Sequence, residues 1–236
     1  MDSAIRRYFD QAVPEYVRER EAQPSFRAQK AIVLGMLGAE RGRLLDLGCG
    51  PALMAPALLE RGFEVWGVDA SARMIEAGRA RLAHPACHLE TGDAASLRFA
   101  SGFFDAVVSM GLLEYFPDYS PVLSEIARVL KPGGIAILTV PSRVSPYHLA
   151  GRAYRFLRRR AAGLSENRCV PPRLDRQLAA HGLRKVEGRG CNFIFFPLHD
   201  KAPRASDRLN RCLGWLSGTA LGPWVGSQYV VKTARR

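Results

Sequence analysis

The stretch Asp46-Leu47-Gly48-Cys49-Gly50-Pro51-Ala52 is where this chain is best equipped for chemistry. Two glycines spaced by one residue let a backbone turn sharply and lie close against a ligand. Asp69 comes 19 residues after Gly50, at the end of the β-prone run FEVWGVD. A carboxylate there can accept both hydroxyls of a ribose. A glycine turn with a distant acid is shared with nicotinamide-binding folds, so the pair alone leaves the ligand open. Two details narrow it. A dinucleotide site wants a third glycine at position 53, where this chain has Leu53. Asp46 stands directly at the turn, and its negative charge is a poor neighbour for a pyrophosphate. The turn suits a nucleoside that presents a positive group and carries no phosphate.

Those residues need strands and helices to hold them. Residues 43–50 read as a short buried strand entering the glycine turn. A helix follows over 52–61, closed by Gly62, with Pro56 near its first turns or kinking it. The second strand is 63–69, and Ser71 caps a helix over 72–83. Strands follow at 87–91, 104–109 and 135–140. Between the last two lies an amphipathic helix at 118–130, with Val122, Ile126, Val129 and Leu130 on one face, stopped by Lys131-Pro132-Gly133-Gly134. Strands alternating with helices at this spacing predict parallel βαβ units. Beyond residue 141 we expect a helix over 146–160 and another near 173–181 stopped by Gly182. A sixth strand is expected over 183–196, then a helix over 206–217 capped by Ser206 with Leu209, Leu213 and Leu216 on one face. The last strand is 229–233.

The ordered series DLGCGPA, VWGVDAS, TGDA, FDAVVSMGLLEYFPD and LKPGGIAILTVP resembles the class I S-adenosylmethionine-dependent methyltransferases over roughly residues 40–141. That cofactor has a ribose, an α-ammonium and a sulfonium, and no phosphate, as the turn demands. The resemblance implies an α/β fold: a Rossmann-like, doubly wound, seven-stranded and mostly parallel sheet. Its last strand is antiparallel, helices cover both faces, and a helical insertion forms a lid. It implies one domain over 1–236. Residues 1–40 make a helical cap, 41–141 the cofactor-binding core, and 142–236 a basic acceptor and lid part. It implies S-adenosylmethionine as cofactor and no metal. Gly48 and Gly50 pass under the methionine portion, with Asp46 near its ammonium. Asp69 holds the ribose hydroxyls. Ala70, Ser71 and Met74 line the adenine, while Asp93 accepts from the adenine amino group with Ala94 beside it. Met110 and Leu112 flank the methionine and sulfonium. Tyr16 belongs to a segment, Tyr8–Tyr16, similar to the helix that closes over the cofactor. Ala52 departs mildly from the family's third motif position.

Methyl transfer is an in-line displacement at an activated carbon, so the protein supplies mainly position and exclusion of water. A general base is needed only for a protonated, weakly acidic acceptor. Glu114, Tyr115, His148 and His199 are the catalytic candidates near the expected acceptor side. Each isolated histidine has the alternative of an ordinary core or surface role.

Charge is uneven along the chain. Residues 1–45 carry +2, residues 46–141 carry −4, and residues 142–236 carry +14, within a net +12. The basic final third, with Trp215 and Trp224, predicts a lid over a bulky aromatic or lipophilic acceptor. It is also compatible with peripheral contact with an anionic membrane. A solvated arginine-rich face is the plain alternative. Nucleic acid ranks below these, because no RNA-binding appendage, zinc knuckle or acidic-Pro-Pro-aromatic motif is visible. The partner expected is therefore a small-molecule acceptor, with the oligomeric state left open. A non-catalytic cofactor-binding scaffold and a nicotinamide-dependent oxidoreductase are the competing functions.

At 236 residues, with 47% hydrophobic and 24% charged residues, the chain can bury a full core. Five cysteines, an odd number with no CxxC, argue against a disulfide framework or zinc ribbon. No apolar run approaches the ~20 residues that span a bilayer. Asp10 and Glu15 interrupt any signal-peptide pattern. The expectation is a cytoplasmic enzyme.

Overall fold

A computed structural model of the chain describes residues 3–150, 167–193 and 203–236. Two helices open it, α1 (Ser3–Ala22) and α2 (Pro24–Leu37). The core then alternates: β1 (Gly42–Leu47), α3 (Ala55–Leu59), β2 (Phe63–Asp69), α4 (Ala72–Arg81), β3 (Cys87–Thr91), β4 (Phe104–Met110), α5 (Ser120–Val129) and β5 (Leu130–Pro141). After it come α6 (Pro171–Ala180), β6 (Leu183–Cys191), α7 (Pro203–Cys212), α8 (Gly222–Val225) and β7 (Gln228–Arg235). Short 3-10 turns stand at Leu113–Tyr115 and Gly214–Gly218.

The seven strands form one sheet in the order β3-β2-β1-β4-β5-β7-β6. All pairs are parallel except those of β7, which is antiparallel to both β5 and β6. This is the predicted Rossmann-like sheet with its last strand reversed. Chain order turns back between β1 and β4. Ligands in such sheets bind beyond the carboxyl ends of the strands at that reversal.

Alternation of side chains along each strand feeds two apolar layers. Leu45, Leu47, Val107 and Val231 join Leu123 and Ile126 of α5 and Leu174 and Leu178 of α6. Leu44, Val65, Val108 and Val230 join Val33 and Leu37 of α2, Leu58 of α3 and Ile75 of α4. The sheet is therefore covered on both faces, which is why its strands read as near-continuous apolar runs.

Several boundaries differ from the sequence reading. The helix expected at 52–61 shrinks to Ala55–Leu59. Ala52 is in the left-handed region at φ 58°, so the glycine turn runs on through it, and Pro56 sits within the helix's first turn, where its missing N–H costs nothing. Lys131-Pro132-Gly133-Gly134 does not end the preceding helix as a loop. It lies inside β5, opposite a register shift between Phe104 and Ala106. Gly134 is needed there because a side chain would meet the Lys131 and Asp105 carbonyls within about 3 Å. The sixth strand ends at Cys191, not at 196, where Asn192 takes φ 57°. Ser206 lies within α7 and is not its cap. The expected helix beyond residue 150 and His199 lie outside the described residues. The Ser71 cap and the Gly182 stop are present as expected.

Candidate active site

Beyond the carboxyl ends of β1, β2, β3 and β4 lies a cleft with about 590 Å³ of space, its mouth included. Its floor is the glycine turn. Gly48 takes φ 75° and Gly50 φ 52°, a region closed to most side chains. A side chain on Gly48 would also press on Leu112 at 3.0 Å. The Gly48 amide bonds to the Val68 carbonyl at 2.8 Å, which ties the turn to β2.

Asp69 finishes β2 and organises the turn around itself. Its Oδ2 accepts the Gly50 amide at 2.8 Å and its Oδ1 accepts the Ser71 amide at 2.9 Å. Burial pushes its pKa up, opposed by the amides of Ser71, Gly50 and Ala70. Each carboxylate oxygen has a second lone pair left for a ligand in the cleft. Ala70, Met74, Asp93 and Ala94 continue the wall from there, and Met110 and Leu112 close it from β4. Asp93 Oδ1 accepts the Ala95 amide at 3.0 Å, which fixes its loop.

Ser71 does not line the cleft. Fully buried, it caps α4 by accepting from the Met74 amide at 3.1 Å and donates to Asp10 Oδ1 of α1 at 2.5 Å. It joins the cleft wall to the N-terminal helix. That helix contributes Phe9 and Tyr16 as the cleft's aromatic side, with their rings edge to face at 6.0 Å. Burial raises the Tyr16 pKa, so it remains a neutral phenol.

A smaller crevice adjoins the cleft along Tyr16, Gly48 and Met110 and contains Asp46 and Arg20. Asp46 is 3% exposed. Among the described residues its Oδ2 has no hydrogen-bond partner, and neither has the buried Nε of Arg20. Burial first, then the charge of Asp69, raises the Asp46 pKa to about 7, against the pull of Lys30. An acid and a base, each with an uncompensated buried atom in one crevice, form a poor apo arrangement. They fit a zwitterion whose ammonium meets Asp46 and whose carboxylate meets Arg20. The glycine floor, the Asp69 pair and this crevice together fit an amino-acid nucleoside.

Of the acceptor-side candidates among the described residues, only Tyr115 lines the cleft, its ring edge to face with Phe9 at 5.3 Å. Glu114 is buried behind it, its Oε1 3.3 Å from where a side chain on Gly111 would begin. His148 is buried and is not among the cleft's lining residues. Its Nδ1 lies 2.8 Å from the Ser142 carbonyl and 3.0 Å from Ser145 Oγ. A carbonyl only accepts, so Nδ1 carries the proton and the ring is held by a local turn. Phe9, Arg20 and Phe116 were not anticipated. Arg20 sits four residues after Tyr16 on α1, one turn along the same face, and that spacing was the available signal. No group of three or more potential metal ligands occurs among the described residues.

Comparison with known proteins gives the family and the fold. A family model described as "Methyltransferase domain" matches residues 45–138. The ubiquinone biosynthesis O-methyltransferase of Brucella anthropi is 30% identical over 171 residues, 70% of this chain and 68% of that protein. The chain spans between 41% and 68% of the length of the curated relatives it matches. The methyltransferase in complex with the Haloferax volcanii Trm112 activator superposes with a TM-score of 0.71 at 21% identity, covering 96% of this chain and 97% of that one. The magnesium protoporphyrin IX methyltransferase of Synechocystis PCC 6803, solved with bound SAH, gives 0.69 at 15% identity, covering 99% of both chains. With the Brucella relative matched over two thirds of its length on top of the ordered motifs and the cleft they build, this chain belongs to the S-adenosylmethionine-dependent methyltransferases.

Proposed function

We propose that the protein transfers the methyl group of S-adenosylmethionine to the O, N or C atom of a small aromatic or lipophilic acceptor, by in-line displacement. The observation that carries this reading is the crevice in which Asp46 Oδ2 and Arg20 Nε lie buried without partners beside the glycine turn. A dinucleotide would bring phosphates against Asp46 and leave that pair unsatisfied, which counts against the oxidoreductase alternative. The small-molecule acceptors named for the Brucella and Synechocystis relatives support the acceptor class.

When bound, S-adenosylmethionine supplies a methyl carbon already activated by its sulfonium. Asp46 and Arg20 would take the amino-acid end, with Gly48 and Gly50 passing beneath it. Asp69 would accept from the ribose hydroxyls. Ala70 and Met74 would flank the adenine and Asp93 with Ala94 its edge, while Ser71 acts behind them by holding α4 to α1. Met110 and Leu112 would border the reacting centre. Phe9, Tyr115 and Phe116 form the apolar side of the cleft, where a flat or greasy acceptor exchanges water for aromatic contact. Among the described residues Tyr115 is the one candidate acid–base group facing that space, with Glu114 behind it as a positioning residue. His148 is assigned to the turn that holds it.

Incubation with methyl-labelled S-adenosylmethionine and a panel of hydroxylated aromatic acceptors tests the reading. Label transfer is the expected result. Calorimetry should show that S-adenosylhomocysteine binds and NAD does not. Cofactor binding with no transfer to any acceptor would favour a non-catalytic scaffold, and NAD binding in its place would overturn the assignment.

The basic last third extends the reading to the protein's surroundings. Trp215, Leu221 and Trp224 stand exposed at 70%, 61% and 44%, next to α7 with its exposed Arg208 and Arg211. That combination supports peripheral contact with an anionic membrane, from which a lipophilic acceptor could be drawn. Among the described residues no helix is long and apolar enough to cross a membrane.

A further inference from the structure

A second cavity, with about 610 Å³ of space including its mouth, lies beside the cleft and is of opposite character. Arg143, Arg168 and Arg173 line it, with Asn167 and Gln177 as neutral polar groups and Asp118 as the one acid among the described residues. Arg143 is distant in sequence from Arg168 and Arg173 and is brought to them by backbone pairing. The Arg143 amide donates to the Cys169 carbonyl at 2.7 Å, and the Cys169 amide donates to the Pro141 carbonyl at 2.9 Å. This stitches the end of β5 to the residues that lead into α6.

Two features suit the cavity to an anion. The side chains of Arg143 and Arg173 have no ion-pair or hydrogen-bond partner among the described residues. Asp118 makes no ion pair with either of them among the described residues; its Oδ1 accepts from the Ser120 amide and hydroxyl at 3.0 and 2.9 Å. In addition, Arg173 occupies the first turn of α6, which holds no acid. The helix dipole disfavours a cation at that end and favours an anion. Arg143 and Arg173 are exposed to solvent, and an anion entering the cavity would meet both guanidinium groups and the favourable end of the helix.

The cavity and the cleft share no lining residue, but one continuous segment contributes to the walls of both. Tyr115 and Phe116 line the cleft, and the next three residues, Pro117, Asp118 and Tyr119, line the cavity. Asn167 locks that shared segment by donating from Nδ2 to the Phe116 and Pro117 carbonyls, both at 3.0 Å, while its own carbonyl accepts from Tyr119 Oη at 2.7 Å. Phe116 of the cleft and Pro117 of the cavity are chain neighbours, about 3.8 Å apart at Cα.

We infer that this cavity is an anion subsite, in which Arg143 and Arg173 take a carboxylate or phosphate carried by the methyl acceptor. The inference rests on the methyl-transfer reading of the cleft and sharpens it: the acceptor is an aromatic or lipophilic acid, held by its charge at one end and presented for methylation at the other. Guanidinium forks suit both oxyanions, since each offers two oxygens to parallel N–H donors.

Calorimetry on the full chain tests it with three probes: inorganic phosphate, benzoate and S-adenosylhomocysteine, at low ionic strength with chloride matched. Wild-type protein should bind phosphate or benzoate, and whichever binds more tightly identifies the preferred oxyanion. The double variant Arg143→Gln/Arg173→Gln should bind that probe at least tenfold more weakly, while its affinity for S-adenosylhomocysteine changes less than twofold. Arg173→Lys, which keeps the charge and loses the fork, should fall between them. In turnover, hydroxybenzoates should outperform their methyl esters in the wild type and lose that advantage in the double variant. Equal oxyanion affinity in wild type and double variant, or none in a wild type that binds S-adenosylhomocysteine, overturns the subsite and leaves the cleft assignment standing. Loss of S-adenosylhomocysteine binding in the wild type overturns the cleft assignment itself.

Discussion

Asp69 Oδ2 accepts the backbone amide of Gly50 at 2.8 Å, so the acid ending β2 clamps the turn that follows β1. One residue thus shapes the floor of the cleft and faces the ligand. Its other oxygen receives the Ser71 amide at 2.9 Å, which extends the clamp to the start of α4. Position and recognition are not separable here.

Asp69→Ala should therefore show two losses. S-adenosylhomocysteine affinity should fall by ~1–3 kcal/mol as charge-assisted hydrogen bonds disappear, and the melting temperature should drop because two partly buried amides lose their acceptor. Ser71→Ala is the comparison. It removes the cap to Met74 and the link to Asp10 but no cleft-lining group. Stability should fall by ~1 kcal/mol with a smaller change in affinity. Calorimetry beside thermal melts separates the two, and equal affinity losses would mean that Asp69 acts only through the fold.

Asp46 ties the cofactor end of the cleft to pH. Its pKa stands at about 7 in the folded chain, against roughly 3.9 when unfolded. Between those values the native state holds a proton that the unfolded chain has released. Stability therefore falls as pH rises from about 4 to about 7 and levels off above, a loss of up to ~4 kcal/mol. Asp46→Asn should match the wild type near pH 4 and be more stable than it at pH 8. A cation at Asp46 needs the ionised form, so wild-type affinity for S-adenosylhomocysteine should tighten as pH rises toward 7, approaching tenfold per unit. The variant should bind weakly with no such slope. Melts and calorimetry across pH 5.5–8 check both signs, and a wild-type affinity that is flat over that range would remove Asp46 from the ammonium site.

Much of this is legible in the sequence. The glycine turn, Asp69 and the Ser71 cap are local devices, set by residues close in sequence or by one strand-to-strand step. Leu53 and Asp46 already argued against a pyrophosphate. What stayed hidden depends on tertiary meeting. Arg143 and Arg173 are 30 residues apart and share a cavity only because Ser142 pairs with Cys169 in an isolated bridge. His148 looks like a site residue by its place after β5, but the carbonyl of Ser142 takes its ring nitrogen. The KPGG run reads as a helix stop because glycine and proline usually break elements. Here the same residues make the irregular start of β5, where small size matters more than propensity.

Gly48 and Leu112 give a sharper steric test of the floor. Gly48→Ala forces a side chain into φ 75° and presses it on Leu112 at 3.0 Å. The backbone strain costs about 1–2 kcal/mol, with the contact adding to it. Leu112→Ala relieves the contact and leaves the strain. The double variant should recover part of the affinity for S-adenosylhomocysteine that Gly48→Ala loses, and the two substitutions should be non-additive by ~0.5 kcal/mol or more. Strict additivity in a double-mutant cycle would show that the turn and Leu112 do not meet in the bound state.

The exposed apolar residues of the last third make the final prediction. Trp215 and Trp224 present large indole faces to water at 70% and 44% exposure, which is costly unless something covers them. A bilayer interface suits indole rings, and anionic headgroups suit the +14 carried by residues 142–236. Sedimentation should show the protein moving with vesicles rich in phosphatidylglycerol and remaining in solution with purely zwitterionic ones. Exposed charges are screened beyond about 10 Å at 0.1 M salt, so raising salt toward 0.5 M should release most of it. Trp215→Ala/Trp224→Ala should weaken the association at low salt without changing S-adenosylhomocysteine affinity, because neither residue lines the cleft. If the double variant sediments as the wild type does, the arginines alone hold the surface and the tryptophans have another use. If the wild type binds neither vesicle, membrane contact is excluded and the lipophilic acceptor must reach the cleft from solution.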